Sequence, residues 1–239
     1  MTELLDFEDV LLIDTKGNVV YSAYKGVDLG TNLLTGPYAF SNLATAYTKA
    51  MSTNILDTVA FTDFGEYPPS LGVPAAWAVS PVGSSGQAIG AIAVEMPIDS
   101  INAVMTGDMS WSNKGLGETG ETYLVGGDHL MRSTSRELVE HPELYLTKAV
   151  ANGVKPALAQ RIVDSGSTLL WQKVNTEAVQ NALNSETGTV IAVSYLGDES
   201  LAAYKPLSID NLDWVIVAEI STAEAFAPVR EFTRNLVLS

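Results

Sequence analysis

The chain has 239 residues, 46% of them hydrophobic and 17% charged, a composition that fits a globular protein with two cores and not a disordered one. A formal net charge of −15 argues against nucleic-acid backbones and anionic membrane surfaces as partners. Cysteine is absent, so neither a disulfide framework nor a thiolate metal site is available.

The elements read as follows. A hairpin spans Val10–Ser22, with Thr15-Lys16-Gly17-Asn18 as its turn. A loop with Gly30, Gly36 and Pro37 leads to Ser41, which caps a helix carrying Leu43, Tyr47, Met51 and Ile55 at about four-residue spacing. Three strands are predicted at Asp57–Phe64, Ala75–Val82 and Ala88–Met96. The first two are separated by Gly65-Glu66-Tyr67-Pro68-Pro69-Ser70, which cannot continue a central strand, and the last two by the turn Gly83-Ser84-Ser85-Gly86.

Residues 106–121 are polar and glycine-bearing, and they place a domain boundary at 110/111. Beyond it a second hairpin is predicted over Tyr123–Ser133, then a helical region with Pro142 at a start and Asn152-Gly153 at an end. A short helix over Thr176–Leu183 is closed by Gly188. Strands follow at Thr189–Tyr195, Ser200–Leu207 and Asp213–Ile220. Ser221-Thr222-Ala223-Glu224 is a capping box for a terminal helix with Phe226, Val229, Phe232 and Leu236 on one face and a kink at Pro228.

The two halves match. Leu12–Ser22 has the form of Tyr123–Ser133, and Pro81-Val82 followed by Gly90–Glu95 echoes Pro206-Leu207 followed by Trp214–Glu219. Repetition at this scale implies tandem modules, 1–110 and 111–239, rather than a solenoid. Each reads β-β-α-β-β-β. Hairpins joining the last three strands require a mostly antiparallel sheet, since parallel strands need long crossovers. The fold class is therefore α+β, two PAS-like modules with a five-stranded sheet and flanking helices in each.

The pattern resembles the double Cache sensor family, the extracytoplasmic input domains of bacterial chemoreceptors, sensor histidine kinases and nucleotide cyclases. The first module is similar in Leu12-Ile13-Asp14-x-x-Gly17-x-Val19-Val20-Tyr21-Ser22 and Asp28-Leu29-Gly30-Thr31-Asn32. The second is similar in Gly117-Glu118-Thr119-Gly120-Glu121-Thr122-Tyr123-Leu124-Val125 and Leu130-Met131-Arg132-Ser133-x-Ser135-Arg136. The resemblance implies a receptor fragment on the periplasmic side of the inner membrane, with 1–110 membrane-distal and ligand-binding. It also implies 111–239 membrane-proximal, a C-terminal helix leading to the membrane, and a homodimer in the full receptor. No stretch approaches about 18 consecutive apolar residues, so the membrane segments would lie outside this sequence.

In that family an amino-acid-binding variant uses an Arg-x-Trp segment and an Asp ending the last strand of the distal module. Glu95 matches the acid in place and charge, but the first Arg of the chain is Arg132. Through Ser112 there are 3 Lys and Arg against 12 Asp and Glu, a balance that attracts cations. The expected ligand is accordingly a cationic amine, held by Glu95 and Asp63 and flanked by Tyr38, Tyr67 and Trp77, since an ammonium gains about 0.5–2 kcal/mol over an aromatic face. A small carboxylate, an amino acid or a purine is the alternative, and a structural ectodomain without ligand a third reading. Each residue also has a plainer role: Glu95 solvated at a strand end, Asp63 starting a turn, Trp77 in the core, Tyr67 and Tyr38 packing loops.

No catalytic residue, cofactor or metal is expected. Gly115-x-Gly117-x-x-Gly120 matches the dinucleotide fingerprint by letter but precedes a strand, so it offers phosphate no helix N-terminus. His129 and His141 do not pair. Arg132 and Arg136 are expected to pair with local acids such as Glu137 or Glu140.

Overall fold

The structure is a computed structural model describing residues 7–53 and 55–230. It divides into two compact units, Met1–Ile98 with Ile209–Leu212 and Asp99–Ser208 with Asp213–Ser239. The helix Ile98–Thr106 has polar contacts in the second unit. There the Met105 carbonyl accepts from Thr122 Oγ1, and Asn102 Oδ1 accepts the Thr134 N–H at 2.8 Å.

The first unit contains β1 (Val10–Asp14), β2 (Val19–Ser22), β3 (Ala60–Phe61), β4 (Trp77–Ser84) and β5 (Gln87–Glu95). They form one antiparallel sheet in the order β2-β1-β5-β4-β3. Asp14 closes the β1–β2 turn, its Oδ1 accepting the N–H groups of Lys16 and Asn18 at 2.9 Å each. The β4–β5 hairpin turns on Ser85 and Gly86, with φ of 55° and 78°, the pair of positive values a type I′ turn demands. Helix α1 (Asn42–Ser52) begins where Ser41 Oγ accepts the Ala44 N–H at 3.1 Å, and it lies on β4 and β5. Leu43, Ala46, Tyr47 and Ala50 of α1 join Leu11, Ile13, Tyr67, Trp77 and Val79 in the core.

The strand expected over residues 57–64 is reduced to Ala60–Phe61. Thr62 Oγ1 accepts the Trp77 N–H at 2.9 Å, and Asn42 Nδ2 donates to the carbonyls of Asp63 and Ala75 at 3.1 and 2.8 Å. Backbone pairing thus becomes discontinuous beyond Phe61: the Thr62 N–H still donates to the Trp77 carbonyl at 2.9 Å and Gly65 still pairs with Ala75, with side chains filling the bonds between.

The second unit contains β6 (Glu121–Val125), β7 (Gly188–Val193), β8 (Glu199–Pro206) and β9 (Val215–Ser221) in the antiparallel order β6-β9-β8-β7. Its helices are α2 (Ile98–Thr106), α3 (Arg136–Glu140), α4 (Pro142–Ala151), α5 (Pro156–Ser165), α6 (Glu177–Leu183) and α7 (Thr222–Ala225). Pro142 opens α4, which ends at Asn152 with Gly153 at φ 93°, and Thr176 caps α6. Helix α6 packs on β7, β8 and β9 around Ala178, Val179 and Ala182.

This sheet has four strands among the described residues instead of the expected five, because the hairpin predicted over 123–133 supplies only β6. Leu130 and Met131 keep isolated bridges to Lys173 and Val125. At Arg132 the chain turns inward. That side chain, 2% exposed, donates to the Leu130 carbonyl and to Asp128 Oδ2, Ser133 Oγ accepts the Leu124 N–H, and Ser135 caps α3. Gly120 leads directly into β6, the strand context that excludes a dinucleotide loop.

The capping box at Ser221 is half formed. Ser221 Oγ accepts the Glu224 N–H at 3.2 Å, but the Glu224 carboxylate accepts from the N–H groups of Glu118 and Thr119 at 2.7 and 2.8 Å. Helix α7 ends at Ala225, and helix resumes over 227–230. Pro228 therefore sits in a first turn, where its missing N–H leaves no bond unmade, and it kinks no continuous helix. Phe232 and Leu236 lie outside the described residues. No described helix is long and apolar enough to cross a membrane.

Candidate functional site

Register sets the site in the first unit. Trp77 on β4 faces Glu95 on β5, so both stand on one face at the same end of the sheet. On the far side of β5, the Glu95 N–H donates to the Asp9 carbonyl at 2.9 Å, which brings Asp9 alongside. Between β3 and β4 the chain winds Pro68–Ser70 into one 3₁₀ turn that ends at Leu71 with φ 53°. The two prolines fix φ there, and the turn aims both flanking hydroxyls at acids. Tyr67 Oη donates to Asp28 Oδ2 at 2.9 Å, and Ser70 Oγ donates to Glu95 Oε1 at 3.1 Å.

Tyr67 is the hub of an aromatic group. Its ring lies 5.2 Å from Trp77, edge-on at 76°, and 5.9 Å from Tyr38 at 56°. Such pairs contribute about 0.5–1.5 kcal/mol beyond area burial. Tyr67 and Trp77 are fully buried core residues, whereas Tyr38 and Glu95 are half-buried. Tyr67 is thus an anchored wall and not the tip of a closing loop. That tip is Leu71, 88% exposed.

Three carboxyl groups share this end of the sheet, and among the described residues no Lys or Arg pairs with them. Asp9 is consumed locally by the N–H groups of Val10 and Tyr24 and by Ser22 Oγ, at 2.7, 2.8 and 3.0 Å. Asp28 Oδ1 is buried without a hydrogen-bond partner. Burial raises the Glu95 carboxyl to about 7; the Ser70 hydrogen bond opposes this, and the charges of Asp9, Glu8 and Asp28 add to it. Burial and Asp28 push the Tyr67 phenol far up, so it remains a donor at neutral pH. Trp77 Nε1–H is a buried donor without an acceptor. The arrangement gathers acceptors and aromatic rings at one end of the sheet, groups whose chemistry suits a cation that donates hydrogen bonds.

Of the five residues singled out from sequence, the structure brings Tyr38, Tyr67, Trp77 and Glu95 together. Asp63 Oδ1 accepts the adjacent Phe64 N–H at 2.7 Å. Asp28, Ser70 and Asp9 were missed. The signal for Asp28 was an acid among small residues in an Arg-free module; for Ser70 it was the Pro-Pro turn that fixes its direction. Arg132 and Arg136 pair with Asp128 and Glu140, at 2.9 and 2.7 Å. Among the described residues no three His, Asp or Glu side chains are grouped to hold a metal.

No family model matches the chain, and no curated protein matches it. Solved structures do. The ligand-binding domain of the Campylobacter jejuni chemoreceptor Tlp3, in complex with 4-methylisoleucine, is 12% identical with a TM-score of 0.56, over 95% of this chain and 70% of that one. The extracellular domain of a histidine kinase, rpHK1S-Z16, is 14% identical with a TM-score of 0.55, over 95% and 76%. The ligand-binding domain of the Pseudomonas fluorescens chemoreceptor CtaA, in complex with L-leucine, is 14% identical with a TM-score of 0.52, over 95% and 76%. With its two antiparallel α+β units, the chain has the double Cache fold of these receptor sensor domains.

Proposed function

We propose that this chain is the ligand-binding part of a transmembrane sensory receptor, acting on the periplasmic side, and that its first unit binds a small cationic amine. Uncompensated negative charge carries this reading. Glu95, raised to about 7 and opposite Trp77, and Asp28, held by Tyr67 and with a buried free Oδ1, belong to one aromatic group in a module without arginine. An incoming ammonium donates to both carboxylates and lowers the cost of burying them. Tyr38 and Tyr67 supply ring faces beside it, each worth about 0.5–2 kcal/mol. The site performs no covalent chemistry. Binding biases two conformations of the receptor, by no more than the ligand's differential affinity for them.

A second reading is an amino acid, whose ammonium takes the same carboxylates. Trp77 Nε1 favours it, as a buried donor suited to a carboxylate, and two of the similar structures contain amino acids or an amino-acid-like ligand. A thermal-shift screen of primary and quaternary amines, amino acids, carboxylates and nucleobases separates these readings. A ligand at 100 times its Kd stabilises by about 2.7 kcal/mol, or roughly 5–10 °C for a chain of this size. Shifts from amines that Glu95→Gln abolishes support the amine reading; shifts from amino acids alone support the second; shifts from carboxylates alone refute both.

A further inference from the structure

The second unit contains a cavity of about 410 Å³ between its sheet and helices α3 and α4. This volume lies within the range of small-molecule sites. Six carboxylate side chains line it against two cations. Those cations are already used: Arg136, itself buried, pairs with Glu140 at 2.7 Å, and Lys148 with Glu137 and Asp198 at 2.9 and 2.8 Å.

The floor is different. Glu121 and Glu219 are opposed partners on β6 and β9, so their carboxyl groups stand side by side on one face, each 7% exposed. Like charges at opposed sheet positions are destabilising. Glu121 is satisfied by Tyr195 Oη at 2.7 Å and the Arg136 N–H at 2.9 Å. Glu219 Oε2 accepts from Tyr123 Oη at 3.1 Å and Ser200 Oγ at 3.5 Å. Its Oε1 accepts no hydrogen bond among the described residues, on a side chain more than nine-tenths buried in the wall of the cavity. The position matters too, because Glu219 is the counterpart of Glu95 in the repeated sequence, and Glu121 stands to it as Asp9 stands to Glu95.

We infer that this cavity is a second ligand site, for an aliphatic diamine, with one ammonium on Glu219 Oε1 beside Glu121 and the other among the rim carboxylates. The chemistry selects the class. A bare metal ion requires three or more grouped ligands, which the described residues do not provide. An ammonium needs one free acceptor and a neighbouring charge, which the floor provides. A second positive charge matches the excess of acid at the rim, and the methylene stem has Leu144, Leu196 and Ile220 to lie against. This site is independent of the one in the first unit.

The probe is 1,4-diaminobutane, titrated calorimetrically into the 239-residue chain carrying Glu95→Gln, which disables the first site. Saturable binding of one diamine per chain is expected, weakened at least tenfold by adding Glu219→Gln. Leu144→Trp, at a position 43% exposed, fills the cavity from its mouth without touching the buried pair and should weaken binding to a similar extent. It decides the matter if Glu219→Gln does not fold. Absence of binding in the Glu95→Gln chain overturns the inference, and so does unchanged affinity in the folded variants. Neither result bears on the first site, which is tested by monoamine binding to the chain with Glu95 intact.

Discussion

Replacing Glu95 with glutamine should stabilise the protein, and only above mildly acidic pH. The carboxyl ionises at about 7 in the folded chain against 4.5 when unperturbed. The folded state therefore holds its proton over a pH range in which the unfolded state has lost it. Stability from the protonated form is complete below 4.5 and falls as pH rises to 7, where it levels off. At about 1.4 kcal/mol per pH unit the full cost is about 3 kcal/mol, and partial exposure of the group brings it to roughly 1–3 kcal/mol. Glutamine retains the acceptor for Ser70 Oγ and removes the charge. Thermal melts by circular dichroism from pH 4.5 to 8 should show the variant equal to wild type at the acid end and about 3–10 °C higher at pH 8. A gap that does not change with pH, or a variant less stable at pH 8, would refute the account of Glu95 as a half-buried charge that no Lys or Arg among the described residues offsets.

Other predictions follow from single contacts. Tyr67→Phe leaves Asp28 Oδ2 buried without its donor and should cost about 1–3 kcal/mol by chemical denaturation; in Asp28→Asn the same change should cost clearly less, since the two groups act as a pair. Ser41→Ala removes the cap of α1 and should lower stability by about 1 kcal/mol in the same assay. Arg136→Met removes donors to the Gly117 and Gly120 carbonyls, the pair with Glu140 and the stack over Trp111 at 5.1 Å, and should cost at least about 2 kcal/mol. Binding of a primary alkylamine, which stays protonated over this range as a lysine side chain does, should strengthen as pH rises through about 7, where Glu95 ionises; affinity that is flat from pH 5.5 to 8.5 would remove Glu95 from the site.

The parts legible from sequence are those decided by neighbouring residues. Ser41 announces its helix, Ser85-Gly86 its turn and Pro142 its helix start, because caps and turns are made within three or four positions of the residue that signals them. The second-module hairpin is a strand pair only in part: the Arg132 N–H still donates to the Leu124 carbonyl at 2.8 Å, but Ser133 Oγ and not a backbone carbonyl takes the Leu124 N–H, and the ladder stops there. The site was half visible. Glu95 and Trp77 could be singled out from strand position and charge, but Asp28 joins them only through Tyr67, 39 positions away. The opposition of Glu121 and Glu219 likewise depends on β6 pairing with β9 across the whole second unit, a register that no local pattern encodes.

The central claim is that the first unit selects positive charge through Glu95. Its most direct test is calorimetric titration of the chain at pH 8 with propylamine hydrochloride and, separately, with sodium propionate. Saturable binding of the amine, weakened at least tenfold in Glu95→Gln, with no binding of propionate, is the predicted result. Binding of propionate, or equal amine affinity with and without the Glu95 carboxylate, would contradict it.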